Sequence, residues 1–411
     1  MTDRNTDVVD SKIPWVGEIP IGWSVRPLWS MYERIKDVNH PDEQMLSVFR
    51  DYGVVAKDSR ENTNQTADNK SIYQLVHPGW LVTNRMKAWQ GSLGISRLRG
   101  IVSGHYICFA PRHEESHDYL NWLFRSPPYI AGYNTISRGV RPGQAEIDND
   151  HYRLLPVIVP PVPEQKAIAA YLDHETEQID TLINEQRRLV EMLRERRQAV
   201  IDHAFAELPK ERIQLRRFTR FLTSGSRGWG AYYADSGDVF IRIGNLPRGS
   251  LSLGGEVQRV DLPPDVNEGY RTKVEVGDLL FSITAYIGSV AVVDEEWAHS
   301  YVSQHVALCR LDWSVLDPEF TGYFMLTTEG QDQLSEGAVG GTKVQLALDD
   351  IRALRVAVPP LDDQRQIVKH LNRETCRIDT LIAESERLIE LSKERRAALI
   401  SAAVTGQIKV S

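Results

Sequence analysis

The chain has 411 residues, 42% hydrophobic and 25% charged, with a formal net charge of −8 and three cysteines. That composition describes a folded chain of two or more domains, and its acidic balance weighs against a surface coated in basic residues for nucleic acid. No stretch approaches the roughly 18 apolar residues of a membrane helix, and Met1-Thr2-Asp3-Arg4-Asn5 lacks the basic and apolar blocks of a secretory signal, so a cytoplasmic protein without membrane contact is the expectation.

In chain order, residues 1–158 carry short apolar runs such as Trp80-Leu81-Val82-Thr83, separated by turns rich in Gly, Pro, Asn and Asp. A short helix over Tyr119 to Arg125 completes a mixed α+β pattern. From Gly79 to Arg112 there is no acid, while Arg85, Lys87, Arg97, Arg99 and Arg112 are basic, with Trp89 and Gln90 among them. Arg and Lys suit phosphates, and Gln, Asn and Arg can read base edges. Arg138 and Arg141 extend this set toward the end of the segment.

Residues 159–206 read as one long amphipathic helix, with Pro163 in its first turn. Its apolar positions include Ile179, Leu182, Ile183, Leu189 and Leu193, and a pause in the rhythm near Asp173 and His174 leaves room for a break or bend. Counting about 30 residues, it would run about 45 Å. Residues 207–357 return to the α+β pattern, with apolar runs at Val239 to Ile243, Asp278 to Phe281 and Tyr301 to Ser303, and a helix over Phe320 to Leu326. Between Pro209 and Arg248 stand eight bases against three acids. The candidates for nucleic-acid contact here are Arg216, Arg217, Arg220, Ser224, Arg227, Trp229, Tyr232, Arg242 and Asn245, with Lys343 further on. Residues 358–411 form a second long helix, striped by Ile378, Leu381, Ile382 and Leu388.

The two halves are copies. At a shift of 199, about 22 of the 45 positions from Pro160 to Ala204 are identical, and Glu175-Thr-Glu-Gln-Ile-Asp-Thr-Leu-Ile183 returns as Glu374-Thr-Cys-Arg-Ile-Asp-Thr-Leu-Ile382. Gly79-Trp80-Leu81-Val82 parallels Gly277-Asp278-Leu279-Leu280, Gly91-Ser92 parallels Gly288-Ser289, and Gly139-Val140-Arg141 sits where Gly341-Thr342-Lys343 sits. A long helix cannot bury its stripe alone, and its own copy is the available partner. The fold expected is α+β, two domains joined by two antiparallel coiled-coil helices under a pseudo-twofold repeat. A coiled coil between separate chains is the alternative.

No reaction site emerges. The dipeptide Gly-Lys is absent, so there is no nucleotide-hydrolysing loop. Ser126-Pro127-Pro128-Tyr129 matches the tetrapeptide with which DNA amino-methyltransferases hold their target, but Gly228-Trp229-Gly230 lacks the strand and third glycine of a methionine-cofactor loop. Pro41-Asp42 with Asp68-Asn69-Lys70 fits a nuclease metal pattern only without a strand to present it. His105 and His305 repeat with no further ligand at metal spacing, and Cys108, Cys309 and Cys376 form neither a disulfide framework nor a zinc ribbon.

The chain resembles the DNA specificity subunit of type I restriction-modification enzymes over essentially its whole length. The resemblance rests on the Pro-Pro-x-x-Glu/Asp-Gln entries at Pro160 and Pro359, the Glu-Thr-x-x-Ile-Asp-x-Leu-Ile blocks, and the Glu-Arg-Arg triplets at Glu195 and Glu394. Ile19-Pro20-Ile21-Gly22-Trp23, Gly277 to Phe281 and Tyr286-Ile287-Gly288 add to it. It implies that residues 1–158 and 207–357 are target recognition domains, each reading one half of a split sequence in double-stranded DNA. The helices 159–206 and 358–411 would set the gap and dock two methyltransferase subunits. It further implies that this chain holds no cofactor or metal and performs no chemistry. S-adenosylmethionine would be carried by the methyltransferase subunits, and ATP and magnesium by restriction subunits where these are present. The two recognition segments differ from each other, so unlike half-sites are expected. The alternatives are a self-contained methyltransferase acting through Ser126 to Tyr129, and a helical scaffold that never touches DNA.

Overall fold

The computed structural model describes residues 7–59, 70–139, 145–225, 227–263, 268–337 and 345–410. In chain order its framing elements are strands β1 (Tyr32–Ile35), β2 (Leu81–Asn84), β3 (Leu93–Ile95) and β4 (Tyr106–Pro111), helices α1 (His117–Phe124) and α2 (Pro127–Thr135), and the long helix α3 (Val162–Ala206). The second half repeats them as β5 (Thr219–Ser224), β6 (Leu279–Ser282), β7 (Val290–Val292), β8 (Val306–Leu311), α4 (Pro318–Leu326), α5 (Thr328–Gly337) and the long helix α6 (Leu361–Val404).

The chain folds into two units that do not follow the order of synthesis. One comprises residues 1–187 with 387–411, and the other residues 188–386. Each therefore owns one half of each long helix. In the first unit the antiparallel sheet runs β1-β4-β2-β3, and in the second β5-β8-β6-β7, the same order. The register matches as well: Leu81 on β2 faces Phe109 and its equivalent Leu279 on β6 faces Cys309, while Cys108 stands one position earlier on β4, facing Val82. Burial pushes both thiols up to about 12, so these are core residues and not nucleophiles.

The helices close each core. Tyr119, Leu123, Phe124, Tyr129 and Tyr133 from α1 and α2 meet Leu81 and Phe109 of the sheet, and Ile168, Leu172, Ile400 and Val404 of the long helices seal that cluster. The second unit packs Phe320, Phe324 and Leu334 against Leu279 and Phe281, sealed by Ile201, Phe205 and Leu371. Phe205 also sets its ring against Phe320 and Phe324 at 5.1 and 5.5 Å between centroids.

The repeated glutamines at the helix starts have a purely mechanical job. Gln165 is fully buried; its Oε1 accepts from the Ser116 N–H at 2.8 Å, and its Nε2 donates to the Pro160 carbonyl and the Glu115 carboxylate at 2.8 and 2.7 Å. Gln364 repeats this with the Asp317 N–H at 2.8 Å and the Val315 and Pro359 carbonyls at 3.0 and 2.7 Å. Each glutamine thus ties the loop ahead of α1 or α4 to the first turn of a long helix. A second tie follows two turns on, where Trp122 donates to Asp173 at 2.9 Å and Tyr323 donates to Asn372 at 2.7 Å.

Both long helices bury positions alternately three and four apart, the spacing of a coiled-coil seam. On α3 the buried positions include Leu172, Thr176, Ile179, Ile183, Val190 and Leu193, and on α6 Leu371, Thr375, Ile378, Ser385, Ile389 and Ser392, with Ile382 half-buried. Within the first unit Asp180 accepts both arms of Arg396 at 2.9 and 3.2 Å; within the second Asp379 accepts Arg197 at 2.8 and 3.2 Å. These are the same pair under the shift of 199, and they run the two helices antiparallel within each unit.

Three helix expectations are corrected. The helices span 45 and 44 residues, so each measures about 67 Å and not 45 Å. No break occurs near Asp173 and His174: α3 is continuous there, and Thr176 satisfies its buried hydroxyl on the Leu172 carbonyl at 2.6 Å. Leu182, Leu189, Leu381 and Leu388 do not enter the seam but stand exposed one position beside it. A seam of two positions in seven has no room for them.

Candidate nucleic-acid interface

At one end of each sheet the backbone repeats bond for bond. The Asn84 N–H donates to the Ser92 carbonyl at 2.9 Å, Arg85 to His105 at 3.2 Å, and Ile147 back to Arg85 at 3.1 Å. In the second unit Ser282 donates to Ser289 at 3.0 Å, Ile283 to His305 at 3.1 Å, and Leu346 back to Ile283 at 2.9 Å. The frame is conserved between the halves while the side chains on it differ. Where the first domain carries exposed Arg85, the second carries buried Ile283.

Each frame ends in a hairpin tip braced by a helix. In the first unit, Lys87 to Gly91 form this tip, with Lys87 and Gln90 exposed and Trp89 half-buried. Trp89 donates its indole N–H to the Met86 carbonyl at 3.1 Å, and Asn134 of α2 donates to the Trp89 carbonyl at 3.2 Å. Gly91 takes φ +85°, a backbone conformation that favours glycine, and a Cβ there would also press on the Ile130 side chain of α2 at 2.7 Å.

The acid-free sequence from Gly79 to Arg112 is not acid-free in space. Arg85 pairs with Glu146 at 2.8 Å, Arg97 with Asp118 at 2.6 Å, Arg99 with Glu43 at 2.7 Å, and Arg112 pairs with Glu33. Arg97 and Arg99 also lie in the turn after β3, at the opposite end of the β2–β3 hairpin from Arg85 and Lys87. Arg85 and Arg138 do come together, lining one cleft with Glu146, Asp148 and Asp150. Arg138 reaches Asp148 at 3.6 Å, and hydrogen bonds from the His151 backbone and side chain hold the Asp148 carboxyl below its usual range. Arg141 and Lys343 lie outside the described residues.

In the second unit, Arg216, Arg217 and Arg227 are exposed, and Ser224 is half-buried at the end of β5, level with the β6 tip. Arg220 pairs with Asp312 at 2.8 Å, and Arg242 approaches Glu256 at 4.0 Å. Two candidates have structural positions instead. Trp229 is buried, stacked on Phe240 at 5.5 Å between centroids, with Tyr232 packed partly buried against the same cluster. Asn245 is buried: its Oδ1 accepts from the Arg242 N–H at 2.9 Å, and its Nδ2 donates to the Gly254 and Glu256 carbonyls at 2.9 and 3.0 Å. Both its N–H groups are spent on backbone, and burial keeps its remaining lone pair from a base. Arg248 and Tyr286, both exposed, are not among the contact candidates, although Tyr286 stands two residues before Gly288, as Trp89 does before Gly91.

Tyr129, the last residue of the Ser-Pro-Pro-Tyr match, is fully buried, donating to the Pro156 carbonyl at 2.9 Å and accepting from the Ile158 N–H at 3.0 Å. It is a bolt between helix and strand and cannot receive a nucleobase. Among the described residues, no three His, Cys, Asp or Glu side chains converge in a metal-binding group, and no helix is long and apolar enough to cross a membrane. His305 is occupied by Thr284 at 3.0 Å and Gln304 at 2.9 Å.

Residues 264–390 match the type I restriction modification DNA specificity domain. The specificity subunit of the type I restriction enzyme StySPI from Salmonella potsdam is 22% identical over 433 residues, covering 95% of this chain and 90% of its own. The EcoKI specificity subunit of Escherichia coli strain K12 is 22% identical over 431 residues with the same shares. Among solved structures, a chain from work on complex assembly and conformational transition of the type I R-M system superposes with a TM-score of 0.70 at 16% identity, covering 95% of this chain and 99% of its own. The HsdS subunit from Thermoanaerobacter tengcongensis gives 0.53 at 17% identity, covering 95% and 98%. At such identities the structural likeness is one of fold.

Proposed function

We propose that this chain, which belongs to the specificity-subunit family of type I restriction-modification enzymes, reads two unlike half-sites of duplex DNA, one with each recognition domain. The observation that carries the proposal is the doubled backbone frame at the sheet ends. A fixed scaffold presents different side chains in its two copies, as two readers of different sequence require. In the first domain we assign contact to Arg85, Lys87, Gln90 and Arg138, and in the second to Arg227 and Ser224; Arg216 and Arg217 precede β5 at the end of the sheet away from the β6 tip and are left out. The ion pairs of Arg85 and Arg138 with Glu146 and Asp148 hold those guanidinium groups in place until phosphates or base edges replace the carboxylates. Catalysis belongs to partner subunits, so this chain supplies position and partners supply chemistry.

The exposed leucines beside the seam support partner docking. The first unit shows Leu182, Leu388 and Leu391 to solvent, and the second shows Leu381, Leu189 and Met192, the same three positions under the shift of 199. Each set is an apolar stripe suited to a further helix. We assign these stripes to two methyltransferase subunits, with S-adenosylmethionine held there and ATP and magnesium in a restriction subunit where one joins. The complex would act in the cytoplasm.

Methylome sequencing of a host carrying the chain and its methyltransferase partner tests both parts. Lys87→Ala should impair recognition at one half-site and Arg227→Ala at the other, while Leu388→Lys should abolish co-purification of the partner. Parental methylation in the first two variants would show that the interface is misplaced.

A further inference from the structure

The tip between β6 and β7 is built to hold one aromatic ring in water. Tyr286 is 55% exposed and sits at φ +56°, a left-handed conformation that side-chain-bearing residues rarely adopt. Several contacts hold it there. Its carbonyl accepts from the Ser282 hydroxyl at 2.5 Å and from the Ser289 N–H at 3.1 Å. Two residues on, Gly288 takes φ +98°, and its carbonyl accepts from Gln331 of α5 at 2.9 Å. Gln331 is itself fixed on the Met325 carbonyl at 2.7 Å. Arg248 lies over the exposed ring at 4.3 Å from its centroid.

None of this serves the core, since among the described residues the ring belongs to none of the buried clusters of the second unit. A glycine or asparagine would occupy the turn with less strain. The ring is what the strained conformation retains. Its counterpart on the first tip, at the same distance ahead of Gly91, is Trp89, so both sheets put an aromatic at this station.

We infer that Tyr286 and Arg248 form the aromatic contact of the second recognition domain, the ring packing against a base face of the duplex and Arg248 taking the flanking phosphate. This rests on the DNA-reading function proposed above and specifies how one of its domains grips. A rigid ring suits the task, because a preset aromatic loses little conformational freedom on binding and can wedge at a base step without hydrogen-bond readout. The cation beside it supplies the salt-dependent part of the contact.

The test uses the full chain in complex with its methyltransferase partner and a fluorescent duplex carrying the methylated sequence. Tyr286→Ala should weaken binding about tenfold, Tyr286→Phe should stay within about twofold of the parent, and Arg248→Ala should lower the slope of log affinity against log salt by about one. Tyr286→Gly separates contact from folding: glycine relieves the left-handed strain, so this variant should unfold no earlier than the parent and still bind about tenfold more weakly. If Tyr286→Ala and Tyr286→Gly bind within twofold of the parent while Lys87→Ala and Arg227→Ala bind weakly, the ring is surface decoration and the inference fails alone. If all of these variants bind like the parent, the DNA-reading function fails with it.

Discussion

Replacing Gln364 with leucine removes three hydrogen bonds at a fully buried site, and the cost can be worked bond by bond. The partly buried Asp317 N–H loses its partner, at about 1–3 kcal/mol, and the Val315 and Pro359 carbonyls each lose a donor, at about 1 kcal/mol apiece. The added apolar burial of leucine returns about 1 kcal/mol, leaving a loss of roughly 3 kcal/mol. For a unit spanning residues 188–386, roughly 2–4 °C per kcal/mol predicts a fall of roughly 6–12 °C in the midpoint of that unit. Gln165→Leu should cost the first unit at least as much, because one of its lost bonds runs to the Glu115 carboxylate. Scanning calorimetry gives the midpoints, and hydrogen exchange assigns them: protection should fall in α4 for the Gln364 variant and in α1 for the Gln165 variant. Midpoints within about 1 °C of the parent for both variants would refute the clamp and leave the repeated Pro-Pro-x-x-Glu/Asp-Gln motif without a mechanical explanation.

Asp180→Arg should destabilise the first unit by about 1 kcal/mol in denaturant melts, and the double variant with Arg396→Asp should recover most of it; the pair is half-exposed, so a larger effect is not expected. Burial, with help from His117 and Arg26, lowers the His113 pKa to about 4, so the folded state resists a proton that the unfolded chain accepts near 6.5. The stability held by His113 is therefore complete above pH 6.5 and is lost as pH falls toward 4; His113→Gln should flatten that part of a stability-against-pH curve. Inserting four residues into α3 adds one turn, about 6 Å, and should change the gap in the methylated sequence by about two base pairs or abolish methylation; an unchanged gap at full activity would discard the spacer function.

Duplication, strand-and-turn pattern and long helices were legible because each leaves a periodic or repeated trace along the chain. What escaped the sequence depends on contacts between distant residues. Arg85, Arg97 and Arg99 form an acid-free run in sequence, yet Glu146, Asp118 and Glu43 arrive from 61, 21 and 56 positions away to pair with them. Helical spacing marked Leu182 and Leu189 as apolar-face residues but could not say that the coiled-coil seam passes one position beside them. Aromatic and amide character recommended Trp229 and Asn245 for a base, whereas the chain uses those properties on itself, in a stacked ring and a buried amide bonded to three backbone groups. The strained tyrosine was visible only as a letter before a glycine, because its backbone angle is not written in composition.

The order in which the ribosome releases the chain gives the divided first unit a further meaning. Its core includes Ile400, Ala403 and Val404, and the Tyr119 hydroxyl donates to the Val404 carbonyl at 3.3 Å, so the first unit waits for residues made after the whole of the second. The second unit is one unbroken stretch and can close as soon as it has left the exit tunnel. Birth order and completion order are therefore reversed. Stopping the chain at residue 399 would spare the second unit and cripple the first, although the first is begun earlier.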